Sequence, residues 1–208
     1  MLGKKNSKFD GNFRKIGYLD TSNIKRIFLL NKNKFSISNT NISNNKENII
    51  RQAKVHNPTK HLNLLYEDDL ISPNKINAQN KDVLQELNND LNNIISIVHN
   101  FYKNENLIIG RCLYTILPAG KKINDHVDRH HTILIHGHRL HIPIITNELV
   151  KFMVNYEYKY LEKGYIYEIN NALVHGVENN SNEDRIHLII DFIDSNILND
   201  NSLHNENM

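Results

Sequence analysis

Cysteine is nearly absent from this chain and tryptophan is missing altogether: its 208 residues include one Cys and no Trp. A lone thiol, Cys112, excludes an internal disulfide framework, a cysteine-based zinc finger and a thioredoxin-like redox pair. Charge of one sign is not in excess either. Twenty-five Lys and Arg stand against 23 Asp and Glu, a formal net charge of +2, which gives no net electrostatic drive toward nucleic acid or an anionic membrane. No stretch approaches the roughly 20 apolar residues that span a bilayer. The N-terminal MLGKKNSKFD is basic, but no apolar run follows it as in a secretory signal, and Gly3 lies one position too late for myristoylation. The expectation is a soluble protein in a reducing compartment, cytoplasmic or otherwise intracellular, with a length that suits one domain and a core that needs no staples.

Histidine, by contrast, is plentiful. Six of the twelve fall between His126 and His141. The chain is also heavy in Asn, Lys and Ile, residues with A/T-rich codons, so its Asn content is taken as genome bias and not as a functional signal.

Along the chain, Arg14–Leu19 reads as a short strand, and Asp20, Thr21 or Ser22 as the cap of a helix reaching Leu30. Residues 31–48 read as a loop. Ile49–Val55 and His61–Tyr66 look like short strands. The clearest helix runs from Lys81 to Tyr102, where Val83, Leu84, Leu87, Leu91, Ile94, Ile95, Val98 and Phe101 form one apolar stripe. Beyond it the pattern becomes β: Leu107–Leu117, Thr132–Ile135, Leu140–Ile145, Phe152–Val154, Tyr165–Ile169, Ala172–Val177 and Ile186–Ile193. Many short strands at roughly ten-residue spacing predict a closed or double-sheet antiparallel fold with the helix packed outside. The expected organisation is one domain over 1–195, with flanking strands and helix in 1–106, a β core in 107–193 and a polar tail from 196 to 208.

The segment Asn124–Asp125–His126–Val127–Asp128 carries the chemistry. On an extended strand His126 and Asp128 project from one face and can grip a single metal ion. His175, in the apolar run ALVHGV, is the best candidate for a third ligand. Two imidazoles and one carboxylate make the facial triad of non-haem Fe(II) oxygenases, which leaves three positions open. The competing reading makes His126 and Asp128 a surface turn and His175 a satisfied core histidine. Ten residues after His175 comes Arg185, at the start of an apolar strand, with ENNSNED between them as a turn. An antiparallel hairpin would set Arg185 beside His175 with its guanidinium inward, a fork suited to a dicarboxylate; otherwise it is an edge-strand arginine paired at the surface. Arg139 and His141 share one face of RLHIPI and need partners if that face is interior, or they line the solvent side of an edge strand.

Together these residues resemble the aspartyl/asparaginyl/proline β-hydroxylase family of Fe(II)- and 2-oxoglutarate-dependent dioxygenases. The matching pieces are His126–Val127–Asp128, RLHIPIITN from Arg139 to Asn147, and KGYIYEINNALVHGVENNSNEDRIHLIIDF from Lys163 to Phe192. The resemblance implies a double-stranded β-helix, a cupin-like jelly roll. It implies Fe(II) at His126, Asp128 and His175, and 2-oxoglutarate held by Arg185. It places Arg139 and His141 near the other end of the cosubstrate, and Thr115 as a hydroxyl partner of the distal carboxylate. Some animal aspartyl hydroxylases of the family bind metal through two histidines alone; Asp128 makes this chain look more like the amino-acid and proline hydroxylases.

The activity implied is hydroxylation, with O2, of an aspartyl, asparaginyl or prolyl residue of a peptide or protein, or of a related free amino acid, releasing succinate and CO2. Ascorbate is an expected stimulant. Residues 31–48, 67–80 and 129–138 are the loops expected to set specificity. His130, His131, His136 and His138 either shape the mouth of the site or are simply exposed, exposure being the expectation, and His187 shares the face of Arg185. A second hypothesis is a catalytically silent jelly-roll module that binds a metal or a peptide. A third, a nucleic-acid base oxygenase, wants a basic groove with stacking aromatics, which the near-neutral charge and missing Trp do not offer.

Overall fold

The computed structural model describes residues 8–37, 58–67, 76–128 and 132–199. In chain order the strands are β1 (Phe13–Tyr18), β2 (Ser36–Ile37), β3 (Lys60–Glu67), β4 (Ile76–Ala78), β5 (Leu107–Leu117), β6 (Lys122–His126), β7 (His138–Ile145), β8 (Val150–Val154), β9 (Glu157–Lys159), β10 (Tyr165–Ile169), β11 (His175–Asn179) and β12 (Arg185–Asp194). The helices are α1 (Ser22–Leu30), α2 (Lys81–Glu86), α3 (Asn88–Tyr102), α4 (Thr132–His136) and α5 (Ser195–Asn199).

Strand β12 shows why the chain layers as it does. Ile186, Leu188, Ile190 and Phe192 alternate with Arg185, His187 and Asp191, and all seven are buried. A strand buried on both faces must lie between two layers. It sits inside a large antiparallel sheet of order β1-β10-β7-β12-β5-β3-β2, with β4 added on β3. Its apolar face packs under the helices: Ile24, Ile27 and Phe28 of α1 and Leu91, Ile94 and Val98 of α3 join Leu140, Ile142, Leu188 and Ile190 in one core. Each such side chain contributes on the order of 1.5–3 kcal/mol of burial. The opposite face looks toward a smaller sheet of order β6-β11-β8-β9. Leu117, Tyr167 and Ile169 from the large sheet meet Phe152, Val154 and Val177 from the small one. The two sheets form the expected jelly roll.

Several local expectations change. The helix over 81–102 is interrupted at Leu87, whose ψ of −6° departs from the helical value, although Leu91 N–H still donates to its carbonyl at 2.9 Å. Phe101 leaves the buried stripe and is 41% exposed, edge-on to Tyr102. Thr132–Ile135 is helical, not a strand. A short apolar run carries no period of its own, and this one closes at Gly137, where a Cβ would stand 2.4 Å from the carbonyl oxygens of Ile133 and Phe192. Lys8 Nζ donates to the carbonyls of Leu134, at 2.6 Å, and Gly137, pinning the N-terminal segment to that helix end. Residues 172–174 precede β11, which begins at His175, and Ser195–Asn199 is helical where the polar tail was expected to begin. The strand expected at 49–55, and His130 and His131, lie outside the described residues.

The expected hairpin between His175 and Arg185 is a layer crossing. β11 belongs to the small sheet and β12 to the large one. Buried Asn179 staples this corner: its amide nitrogen reaches the carbonyls of Leu117 at 3.1 Å and Glu183 at 2.8 Å, while its oxygen accepts from Ser181 Oγ at 2.7 Å.

A second buried polar knot ties the first hundred residues to the sheet. Glu168 of β10 points toward the helices, fully buried. It accepts from Tyr102 Oη of α3 at 2.7 Å, pairs with Arg14 of β1, and lies 2.7 Å from His138 Nδ1. His138 is therefore not the exposed histidine expected. Burial alone would raise the Glu168 carboxyl, but the bonds from His138 and Arg14 outweigh it and hold it below the ordinary range. Glu168→Gln keeps the shape and removes the charge that Arg14 answers, so it should destabilise the fold by about 3 kcal/mol. Urea unfolding followed by circular dichroism measures this; a loss under about 1 kcal/mol would show that the knot is not structural.

Candidate metal centre

β6 and β11 bring the two distant histidines together. They pair antiparallel with His126 opposite His175. Gly176 permits the close approach, since a Cβ there would lie 2.5 Å from Asp125 Oδ1 and 3.1 Å from the Ile123 carbonyl. Both imidazoles are oriented by backbone. His126 Nδ1 is 2.8 Å from the Asn124 carbonyl and His175 Nδ1 is 2.9 Å from that of Leu173. A carbonyl only accepts, so each Nδ1 carries a proton, which leaves each Nε2 as the nitrogen that can turn a lone pair to a cation. The two Nε2 atoms stand 3.7 and 3.8 Å from the Asp128 carboxylate, and one ligand atom from each residue lies within 4.8 Å of the others. Three acceptors with no donor among them fit a cation, and two nitrogens with one oxygen fit a non-haem iron site. His175 is buried, as the competing reading also had it, but His126 and Asp128 do not form an exposed surface turn: both are half-buried and converge with His175.

Asp128 is held from behind. Its Oδ2 accepts from Arg139 Nη1 at 2.7 Å and from Asn171 Nδ2 at 3.1 Å. Burial would raise this carboxyl, but the charge of Arg139 holds it well below the usual range. Arg139 in turn grips both oxygens of Asp191, through Nε at 2.8 Å and Nη2 at 2.9 Å. Three of its five N–H groups thus have protein partners. β7 runs between β10 and β12, so Arg139 and His141 are not on an edge strand.

Toward the other end of the interior lies a cationic cluster. Arg185 is buried; its Nη2 donates to His187 Nδ1 at 2.7 Å and its Nη1 stands 3.5 Å from Thr115 Oγ1. Its guanidinium is 5.9 Å from the ring centroid of Phe152 on the facing sheet, and His187 Nδ1 is 3.4 Å from His141 Nδ1. No acid pairs with Arg185 among the described residues, and burial pushes its pKa down to about 9. Arg185 Nε, His141 Nε2 and His187 Nε2 are buried without hydrogen-bond partners.

Sequence reasoning passed over three contributors. Asn171 bonds Asp128 and also donates to the Leu134 carbonyl at 3.2 Å. Asp191 anchors Arg139. His61 of β3, directly opposite Thr115, is half-buried with Nε2 2.7 Å from Thr59 Oγ1. The one available signal for His61 was its alternation with Leu62 and Leu64, which sets it on the face away from the helix core.

The model of the Aspartyl/Asparaginyl beta-hydroxylase family matches residues 40–195. The chain belongs to that family. No curated protein sequence matches it. Among solved structures, it resembles a 2OG-Fe(II) oxygenase family oxidoreductase from Burkholderia pseudomallei, at 10% identity over 84% of this chain and 91% of that one, with a TM-score of 0.54. It also resembles a non-heme monooxygenase, the ThoJ–Ni complex, at 13% identity over 88% of this chain and 74% of that one, with a TM-score of 0.50. At such identities the likeness is one of fold. Family membership, with the His–Asp–His trio in place, makes the chain a hydroxylase of the Fe(II)/2-oxoglutarate oxygenase type. No helix among the described residues is long and apolar enough to cross a membrane.

Two outcomes are expected of this site. Asn171→Ala frees one side of Asp128 and should weaken Fe(II) binding about tenfold in anaerobic titration; unchanged affinity would show that Arg139 alone orients the carboxylate. The second concerns pH. Burial, then the charges of Arg111 and Arg185, lower His61 to about 4, and burial, then Arg185, lowers His141 and His187 well below 6.5. The unfolded chain therefore takes up protons near pH 6.5 that the folded one refuses. Stability is complete above that pH and falls below it, by up to about 1.4 kcal/mol per pH unit for each histidine. The urea midpoint of the metal-free protein should be level above about pH 7 and drop steeply toward pH 5; a midpoint level throughout would contradict these neutral burials.

Proposed function

We propose that His126, Asp128 and His175 hold Fe(II) and that Arg185 takes the distal carboxylate of 2-oxoglutarate, with Thr115 beside it. The observation that carries this reading is Arg185 itself. A guanidinium buried without an acid is costly, and its Nε, with the Nε2 atoms of His141 and His187, faces the interior unmatched. A carboxylate of the cosubstrate answers the charge bidentately. His141 and the remaining donors of Arg139 lie between this cluster and the metal ligands and serve the other end of the cosubstrate.

Bound Fe(II) would supply the redox centre at which O2 and 2-oxoglutarate are converted, with a substrate C–H bond, to succinate, CO2 and C–OH. The chain's own part is positional. Asn124 and Leu173 fix the two imidazole tautomers, Arg139 and Asn171 keep Asp128 ionised and aimed, and Arg185 sets the cosubstrate's register. The apolar wall of Phe152, Leu117 and Tyr167 keeps the cosubstrate site dry. The substrate is an aspartyl, asparaginyl or prolyl residue of a peptide or protein, or a related free amino acid. This requires neither nucleic acid nor a membrane.

Purified protein given Fe(II), ascorbate and 2-oxoglutarate should release succinate, and a true substrate should gain one oxygen atom by mass spectrometry. His175→Ala and Asp128→Ala should abolish turnover, whereas Arg185→Ala should chiefly raise the KM for 2-oxoglutarate, roughly 10–100-fold. Undiminished turnover in either ligand variant would overturn the assignment.

A further inference from the structure

One more guanidinium lines the same interior. On β5, Cys112, Tyr114 and Ile116 belong to the core under the helices, so Arg111 lies on the opposite face with Thr115. Arg111 sits directly across from Asp191, and Asp191 across from Arg139. The three form one row across the sheet, each strand about 4.8 Å from the next. Their charges are not equally answered. Arg139 has Asp128 and both oxygens of Asp191. Arg111 makes no ion pair among the described residues, although Asp191 lies opposite it in register.

The setting of Arg111 is that of a recognition group. Its guanidinium lies 5.0 Å over the ring of Tyr66, and its Nε is buried without a hydrogen-bond partner. Stacking on an aromatic face holds the plane rigid and leaves the N–H edge for a planar anion. This is not a second contact to the cosubstrate. Arg185 pairs in register with Leu117, six residues along β5 from Arg111, about 20 Å of strand. The row containing Arg111 is the one that reaches Asp128 through Arg139.

We propose that Arg111, backed by Tyr66, is a specificity-determining residue that holds a carboxylate of the primary substrate and selects acids over their uncharged amides. This rests on the Fe(II)/2-oxoglutarate reading above. In this chain Arg139 is neutralised by two aspartates, so recognition of the substrate's charge passes to the far side of Asp191. A substrate amide leaves the half-buried cation unanswered, and sites with an unpaired polar group discriminate strongly.

The carboxylate can come from a side chain or from a free α-carboxyl group, and calorimetry on the Fe(II)-loaded protein under anaerobic conditions separates the sources. 2-Oxoglutarate is titrated first. Two acid–amide pairs follow: N-acetyl-aspartamide against N-acetyl-asparaginamide, and free L-proline against prolinamide. In at least one pair the acid should bind about tenfold or more tightly than its amide. Arg111→Gln should erase that preference while shifting the amide's affinity less than twofold. Arg111→Lys, which keeps the charge, should retain the preference in reduced form and controls for misfolding. If 2-oxoglutarate binds but both pairs bind equally, or no acid binds, or Arg111→Gln weakens acid and amide alike, the role of Arg111 is overturned and the cosubstrate reading stands. Failure of 2-oxoglutarate to bind overturns both.

Discussion

A carboxylate taken out of water costs several kcal/mol unless cations and donors surround it, and Asp128 is surrounded. Arg139 and Asn171 bond one of its oxygens, and Asp191 fixes Arg139 with a bidentate grip. Much else depends on this chain of contacts. Asp191 is the residue at which β12 presents its polar face, Asn171 lies in the turn before His175, and the same Asn171 holds the carbonyl of Leu134 in α4. The carboxylate, the second histidine and the helix that follows the HVD segment are thus located by one set of hydrogen bonds.

The interior between the sheets has an uneven charge distribution. Guanidinium and imidazole groups come from β3, β5, β7 and β12, all strands of the large sheet. The small sheet contributes His126 and His175 and an otherwise apolar lining of Val150, Phe152, Val154 and Val177. A site so built is short of negative charge away from Asp128 and Asp191. That imbalance disfavours the folded state of the ligand-free protein and favours binding of acids. It also explains why His141 and His187 stay neutral: each is buried beside Arg185 with little access to water.

The sequence was legible wherever two faces of a strand differ in chemistry. RIHLIID separates into an aliphatic face and a polar one, and both are where alternation sets them. The HVD pair and His175 were readable because an imidazole in an aliphatic run demands a reason. Less legible were features that depend on which layer a strand joins. ENNSNED reads equally as a hairpin or as a corner, and Asn179, the residue that decides it, is one asparagine in a chain full of them. TILIHG carries no period long enough to choose between helix and strand. Arg139 was readable as an interior arginine, but its pairing with Asp191, 52 residues away, is a register relation that no local pattern encodes. Arg111 and His61 were overlooked for the same reason: their meaning comes from the neighbouring strand.

The crossing at Asn179 divides the site between two bodies. The proposed metal ligands His126 and His175 belong to the small sheet, and Arg185, His187 and Thr115 to the large one. Between them the sheets touch chiefly through side-chain packing, and among the described residues no backbone ladder joins them. In the arrangement proposed above, a molecule tying an ion on one sheet to Arg185 on the other would be a strut as well as a reactant, clamping the sandwich across its thickness. The sandwich should breathe most before that strut is in place and stiffen once it is, so that the cavity takes its working width only around its own cosubstrate.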